Sequence, residues 1–314
     1  LAPVLPVNSA RIVSAMTRLA PVSKKTAVVM KPCEFRALIE LVKLKQASLD
    51  NLVLIGVDCY GAYSVTDYAQ FASEKTSDNF VKGTVAGKED SKLRTACLIC
   101  EYPAPLTSDL TIGLFGVDPE KGLLLQANSE QGEEILEKLG LNTGTGDDMA
   151  KKRDKAVSQL LSKRQKERKE FFDQTREEVG GFEKLSAVFA PCINCHNCMT
   201  ACPVCYCREC FFESPTFELE ADRYLAQAEK REALRMPTDI LLFHLTRMTH
   251  MGASCVGCGA CEEACPNDIP LLKIFQLTGD RVQKLFEYIP GRSLEDELPM
   301  ATFREDELTT IGEE

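Results

Sequence analysis

The sequence predicts an α/β N-terminal domain joined through a charged helix to a mainly α-helical C-terminal domain, and three observations predict it. Short Val-, Ile- and Leu-rich runs flank an amphipathic segment near the N-terminus. A Gly-, Asn- and Asp-rich stretch, Asn142 to Asp148, opens onto a long charged segment. From Pro191 onward, tight cysteine groups alternate with helical patterns. A chain of 314 residues has room for two or three domains. The divisions read as an α/β unit at 1–146, a charged linker helix at 147–181, a cysteine-rich unit at 182–293 and an acidic tail at 294–314.

Each element follows from its pattern. Thr26 to Met30 and Asn51 to Val57 are apolar runs suited to buried parallel strands. Between them Phe35, Leu38, Ile39 and Val42 recur at helical spacing, so the segment reads as strand, helix, strand. Asp109 to Phe115 and Leu123 to Gln126 read as two further strands. Ser129 then caps a helix carrying Ile135, Leu136 and Leu139, which Gly140 stops. The charged helix ends at Gly180 and Gly181. Farther on, Phe217, Ala221, Tyr224, Leu225 and Ala228 share one helical face; Pro237 breaks the chain; and Leu241, Leu245 and Met248 line a second helix. The stretch Leu294 to Glu314 reads as a tail laid on a partner or left mobile.

Composition excludes several classes. Hydrophobic residues make up 44% and charged residues 27%, an ordinary globular balance. The longest apolar run, Ile240 to Phe243, is broken at His244, so no membrane span is expected. A net charge of -10 argues against nucleic-acid binding, and the basic block Lys151 to Lys169 is interrupted by Asp154 and Glu167, as on a solvated helix. Leu1 to Pro6 reads as the continuation of something, through processing or an incomplete N-terminus.

Fifteen cysteines in C-x-x-C groups, with no signal-peptide pattern, read as a cytoplasmic metal protein with reduced, metal-bound thiols. Cys192, Cys195, Cys198 and Cys202, followed by Pro203, spell C-x-x-C-x-x-C-x-x-x-C-P, and Cys255, Cys258, Cys261 and Cys265, followed by Pro266, repeat it. In this two-cluster ferredoxin arrangement the fourth cysteine of each run ligates the other 4Fe-4S cluster. The expected sets are therefore Cys192, Cys195 and Cys198 with Cys265, and Cys255, Cys258 and Cys261 with Cys202. Three thiolates on one loop reach three corners of an iron–sulfur cube, and Gly257 and Gly259 let the second loop wrap closely. Zinc would leave the duplicated triplet-plus-one spacing unexplained.

Cys33 and Cys59 follow the first two strands, where turns present groups at one sheet edge, and Cys97 with Cys100 adds a C-x-x-C pair. These four either hold a third cluster or are buried structural thiols. Cys205, Cys207 and Cys210 read as thiols packed near the first cluster, or as part of another metal site. His196 and His244 read as packing or hydrogen-bonding groups rather than ligands.

Lys31-Pro32-Cys33-Glu34-Phe35-Arg36-Ala37-Leu38 resembles the "PCxxxAL" turn of the β-subunit family of coenzyme F420-reducing hydrogenases and formate dehydrogenases. Ile55-Gly56-Val57-Asp58-Cys59 is similar to its "IGxxC" strand end, and Cys97-Leu98-Ile99-Cys100 with Asp109-Leu110-Thr111-Ile112-Gly113 to its "CxxC…ADIxxG" element. The match runs from about Thr26 to Leu139, and the segment from Cys202 to Cys210 resembles the formate-dehydrogenase branch. The resemblance implies that Cys33, Cys59, Cys97 and Cys100 hold a third 4Fe-4S cluster beside FAD, and that the flavin exchanges hydride with the deazaflavin coenzyme. Family members have a further N-terminal region contributing to the flavin site, whereas this chain has only residues 1–30 there. Lys31, Gly113 and Gly116, at predicted strand ends, are the candidate flavin contacts.

The expected function is that of an electron-transfer subunit in which a flavin splits a hydride into single electrons and clusters relay them. Its expected partner is the catalytic subunit of a molybdenum or tungsten formate dehydrogenase, with a hydrogenase or a heterodisulfide-reductase-type complex as further options. The rival reading is a flavin-free electron wire between two enzymes. A redox-sensing regulator is disfavoured because the acidic chain shows no helix-turn-helix signal.

Overall fold

The computed structural model describes residues 3–71, 77–85, 89–118, 122–140, 146–207, 209–215, 221–232, 239–299 and 301–302. Helix α1 (Ala10–Thr17) precedes strand β1 (Thr26–Met30), helix α2 (Pro32–Lys43) and strand β2 (Leu52–Val57). The two strands are parallel, with Thr26 opposite Leu52 and Met30 opposite Gly56, as the strand-helix-strand pattern requires. Proline at the first position of α2 gives up an amide that has no intrahelical partner, and the Lys31 N–H donates to the Glu34 carboxylate at 2.8 Å, closing the helix start. After α3 (Val65–Phe71), α4 (Ser77–Val85) and α5 (Thr95–Leu98) come β3 (Leu110–Gly113) and β4 (Leu124–Ala127). β3 pairs in parallel with β2, and β4 returns antiparallel along β3, giving a mixed sheet of order β1-β2-β3-β4. The connection between β3 and β4 is too short for the crossover that a parallel neighbour needs. Ser129 caps α6 (Glu130–Lys138): its Oγ accepts from the Gly132 N–H at 3.2 Å and donates to Asp109 at 2.6 Å.

The charged segment is one helix, α7 (Asp147–Val179). It is solvated along one side, but its opposite side is packed. Arg153 makes two hydrogen bonds to the fully buried Asp58 carboxylate, at 2.8 and 2.6 Å. Arg164, 1% exposed, pairs with Glu89, and Arg168 reaches Glu101 and Asp280. Thus α7 is clamped to both the sheet region and the C-terminal region by arginines whose partners lie far away in sequence.

From residue 182 the regular elements among the described residues are helices: α8 (Phe182–Phe189), α9 (Asn197–Ala201), α10 (Ala221–Arg231), α11 (Asp239–Met251), α12 (Ala260–Glu263) and α13 (Leu271–Leu285), with one turn of 3₁₀ helix at Phe211–Glu213. Phe217 and Pro237 lie outside the described residues, as do Arg208 and most of the acidic tail. α10 forms, yet Leu225 on its expected apolar face is 68% exposed. α11 keeps Met248 buried and Leu241 partly buried against the core, as the pattern predicts. Leu245 is exposed, and the inward face carries Phe243, His244, Arg247, Met248 and Met251. The inward face thus also carries two polar residues, His244 and Arg247, each against a cysteine sulfur.

One hydrophobic core joins both halves: Phe35, Leu38, Leu41 and Leu54 pack in the same cluster as Phe189, Phe243, Met251, Ile274 and Phe275. α2 is buried on nearly all sides, including its charges. The Arg36 guanidinium donates to the carbonyls of Pro290 (2.8 Å) and Val256 (3.1 Å), and Glu40 accepts from Tyr288 and Gly291. Since burying a charge without partners costs several kcal/mol, these contacts fix α2 against the C-terminal region as firmly as its leucines do.

Candidate iron–sulfur centres

The duplicated cysteine runs have duplicated backbones. In the first, Asn194 and His196 flank Cys195 with φ of 56° each; in the second, Gly257 and Gly259 flank Cys258 with φ of 69° and 70°. Two left-handed residues around the middle cysteine curl each loop so that its amides turn inward. Glycine adopts this conformation without strain, and Asn and His are among the residues that tolerate it. Short helices follow both loops, α9 and α12, and pack on each other, which brings the fourth cysteine of each run toward the other loop.

The outcome is a crossed grouping. Cys192, Cys195, Cys198 and Cys265 line one cavity together with His196, Phe243 and His244. Cys202 lies close enough to Cys255, Cys258 and Cys261 to push each thiol's pKa further up, after the larger effect of burial; Cys258 reaches about 12. Burial likewise raises Cys198 to about 11, so these thiols ionise only where a cation holds them. Among the described residues, no three His, Cys, Asp or Glu side chains converge as a single metal ion would need. Thiols spread around a cavity fit a cube with four separate iron corners better than one tetrahedral zinc. Donors already aim at the sulfurs. The Asn194 N–H lies 3.4 Å from Cys192 Sγ, Arg247 Nη1 lies 3.0 Å from Cys198 Sγ, and backbone amides of Gly257 and Ala260 serve Cys255 and Cys258.

The N-terminal four are gathered by the sheet. Parallel pairing puts the ends of β1 and β2 at one edge, so Cys33, at the start of α2, and Cys59, just past β2, meet Cys97 and Cys100 around a single cavity. Amides again face sulfur: Ala62 N–H to Cys97 at 3.3 Å and Tyr102 N–H to Cys100 at 3.4 Å. Burial raises Cys59 to about 12 and pushes Cys33 up as well, and the thiol with the largest influence on Cys33 is Cys258. Cys258 and Gly257 line this same cavity. Arg94 Nη2 donates to the Cys258 carbonyl at 2.7 Å, clasping the N-terminal site to the second ferredoxin loop.

The remaining candidates are placed as follows. Lys31 lines the N-terminal cysteine cavity, with its Nζ donated to the Val4 carbonyl at 2.7 Å. Gly113 and Gly116 do not share that cavity. A Cβ at Gly113 would lie 2.8 Å from Arg153 Cδ, and one at Gly116 would lie 2.8 Å from the Lys152 carbonyl oxygen. Their lack of side chains admits α7. Cys205 is pushed up to about 12 by burial and then by Cys202, and Cys210 packs against Met199 with 3.6 Å between sulfurs. His244 Nε2 lies 3.4 Å from Cys192 Sγ with its ring stacked on Phe189, and burial lowers its pKa to about 3, which keeps it neutral. Sequence reasoning missed the arginines Arg36, Arg94, Arg164 and Arg247; the available signal was a lone basic residue within an otherwise apolar helical stretch, as at Arg36 and Arg247.

Residues 23–144 match the family model for the C terminus of the coenzyme F420 hydrogenase/dehydrogenase beta subunit, and residues 188–269 match the 4Fe-4S dicluster domain. The chain is 30% identical over 301 residues to the F420-dependent formate dehydrogenase subunit beta of Methanocaldococcus jannaschii, an alignment covering 85% of this chain and 74% of that relative. The chain belongs to the coenzyme F420 hydrogenase/dehydrogenase beta-subunit family. A second member, the F420-dependent formate dehydrogenase 1 subunit beta of Methanococcus maripaludis, is 30% identical over 309 residues, covering 88% of this chain and 75% of its own length. These relatives are oxidoreductase subunits by name, and the iron–sulfur domain match supports electron transfer as the common role of the family's cysteine-rich half. Among the described residues, no helix is long and apolar enough to cross a membrane.

Proposed function

We propose that this chain is the iron–sulfur electron-transfer subunit of a formate dehydrogenase, a β-subunit that relays electrons between a molybdenum or tungsten catalytic partner and coenzyme F420 or another acceptor. The observation that carries the reading is the wall shared by Cys33 and Cys258, which puts the N-terminal cysteine set directly against the second ferredoxin set. The proposed ligands are Cys33, Cys59, Cys97 and Cys100; Cys255, Cys258, Cys261 and Cys202; and Cys192, Cys195, Cys198 and Cys265, in that order along the path, within an α/β domain and a mainly helical dicluster ferredoxin domain. When bound, 4Fe-4S clusters carry single electrons, so no side chain need act as acid or base. The protein's part is to hold the thiolates, turn amides toward sulfur and exclude water. Cys195 is exposed and Ile193 is 53% exposed, which makes the first ferredoxin loop the outer end of the path.

FAD at the N-terminal site, with Lys31 beside it, follows from the family resemblance. The second reading, a flavin-free wire linking a formate dehydrogenase or hydrogenase to a heterodisulfide-reductase-type complex, is favoured by the packing of Gly113 and Gly116 against α7. Iron, sulfide and flavin content of anaerobically purified protein separates the two. About twelve irons and one FAD per chain support the first, and about twelve irons without flavin the second. About eight irons and no flavin in fully reconstituted protein would remove the N-terminal cluster and leave a two-cluster wire, and fewer than eight would sink both readings. Ligand exchange is tested by Cys265→Ala, which should alter the spectrum of the cluster on the Cys192 loop; a change confined to the Cys255-loop cluster would refute the crossed sets.

A further inference from the structure

The least expected buried charge in the molecule is Arg247. It is 4% exposed on the inward face of α11. Its Nη1 lies 3.0 Å from Cys198 Sγ and its Nη2 donates to the Cys198 carbonyl at 3.1 Å. The guanidinium sits 5.4 Å from the Phe243 ring centroid and 4.8 Å from that of Phe275. Its Nε is buried without a hydrogen-bond partner. Arg164 has the Glu89 carboxylate and Arg153, partly buried, has Asp58, while the buried Arg36 donates to the carbonyls of Pro290 and Val256. The groups that act on Arg247 are instead thiols from both ferredoxin sets, Cys198 of one and Cys202 and Cys261 of the other, together with Cys205.

A cation this deep costs several kcal/mol unless negative charge stands against it. Here that charge is supplied by cysteine thiolates and whatever they ligate. Arg247 is thus hydrogen-bonded to a ligand of one set and within electrostatic reach of ligands of the other. Hydrogen bonds to sulfur and nearby positive charge favour the reduced, more negative form of an iron–sulfur centre.

We propose that Arg247 is a positioning residue shared by the two ferredoxin-type sites, raising the reduction potential of both and easing the passage of an electron from one to the other. The inference rests on the reading of these cysteines as cluster ligands. One electron enters or leaves each site, with no proton moved by Arg247, which stays charged throughout.

The test uses the full chain, purified anaerobically, with iron and sulfide measured first and a redox titration followed by electron paramagnetic resonance second. Wild-type protein that takes up no iron overturns the cluster reading and this inference with it. With clusters loaded, Arg247→Met should lower the midpoint potential of both ferredoxin clusters by about 59 mV or more, tenfold in the reduced-to-oxidised ratio of a one-electron couple. Arg247→Lys keeps the charge but loses the planar fork, and should shift both in the same direction by less. Unchanged potentials in iron-replete Arg247→Met overturn the proposal, and so does a shift confined to one cluster. If Arg247→Met fails to retain iron, Arg247→Lys decides: both potentials lowered supports the shared role, and either one unchanged refutes it.

Discussion

The two halves of the molecule collect their thiols by opposite means. In the C-terminal half three cysteines of each set lie on one curled loop, and only the fourth comes from elsewhere. In the N-terminal half Cys33, Cys59 and the Cys97–Cys100 pair come from three separate turns, and they meet only because parallel strands end at a common sheet edge. The first device is local and needs little beyond its own backbone. The second is a consequence of the whole fold, and it depends on whatever holds the sheet, α5 and α7 in place. The difference teaches where each site is vulnerable.

The largest effect should come from Arg164. Its guanidinium pairs with Glu89 at 2.8 Å and lies 3.4 Å from the carbonyls of Cys100 and Tyr60, so one buried cation joins α7 to the loops around the N-terminal set. Arg164→Met leaves Glu89, itself 8% exposed at the side chain, with Lys163, 53% exposed, at 2.7 Å in place of the buried guanidinium. Removing one member of a buried pair costs about 3–5 kcal/mol where the other charge is left uncompensated, and less here because Lys163 remains. On the proposed ligand sets, the expected result in iron analysis is loss of the N-terminal cluster, about four irons, while about eight remain on the ferredoxin loops. Iron lost in equal proportion from all three sets would break the distinction between a locally and a globally built site.

The same contrast explains what can be read from residues alone. The βαβ unit is legible because Thr26 to Met30 and Asn51 to Val57 carry their apolar runs undiluted, and the Ser129 cap because its hydroxyl acts within one helical turn. The ferredoxin groupings are legible because spacing and geometry are nearly the same thing on a loop of eleven residues with two left-handed positions. What is not legible depends on distant partners. Nothing near Arg164 in sequence announces Glu89, and nothing in the pattern Leu241, Leu245, Met248 reveals that α11 also presents His244 and Arg247 to sulfur. Nor does the sequence show that Gly113 and Gly116 give α7 room for a close approach. In each case the missing information is the identity of the neighbour, which a one-dimensional pattern does not carry.

A smaller effect is expected where the two kinds of site touch. Gly259 has a φ of 70°, and an added Cβ would lie 2.8 Å from Ala96 Cβ and 2.7 Å from Arg94 Nη2. The first loop has His196 at the equivalent position with φ of 56°, stacked on Phe243, so a side chain is compatible with the backbone but not with this neighbour. Gly259→Ala combines a left-handed penalty of about 1–2 kcal/mol with displacement of Arg94 from the Cys258 carbonyl. Denaturant unfolding of the loaded protein should show that loss, and electron passage between the N-terminal and Cys255-loop sites should slow even with all iron retained. If stability and transfer rate both match wild type, Arg94 is not the clasp between the halves.

The smallest effect serves to separate stability from site geometry. Ser129 caps α6 and donates to Asp109, whose other oxygen accepts from the Leu54 N–H at 2.7 Å in the middle of β2. The network therefore steadies the sheet from the side away from the cysteines, touching no sulfur. Ser129→Ala should cost about 1 kcal/mol, the usual worth of a helix cap. If the N-terminal site answers to the stability of the sheet as a whole, its iron should become more readily lost to a chelator, in proportion to that change, while iron on the ferredoxin loops is unaffected. If chelation rates are the same at every site despite the lowered stability, the N-terminal cluster depends on its immediate clamps, Arg164 and Arg94, and the sheet serves only to bring those clamps into place.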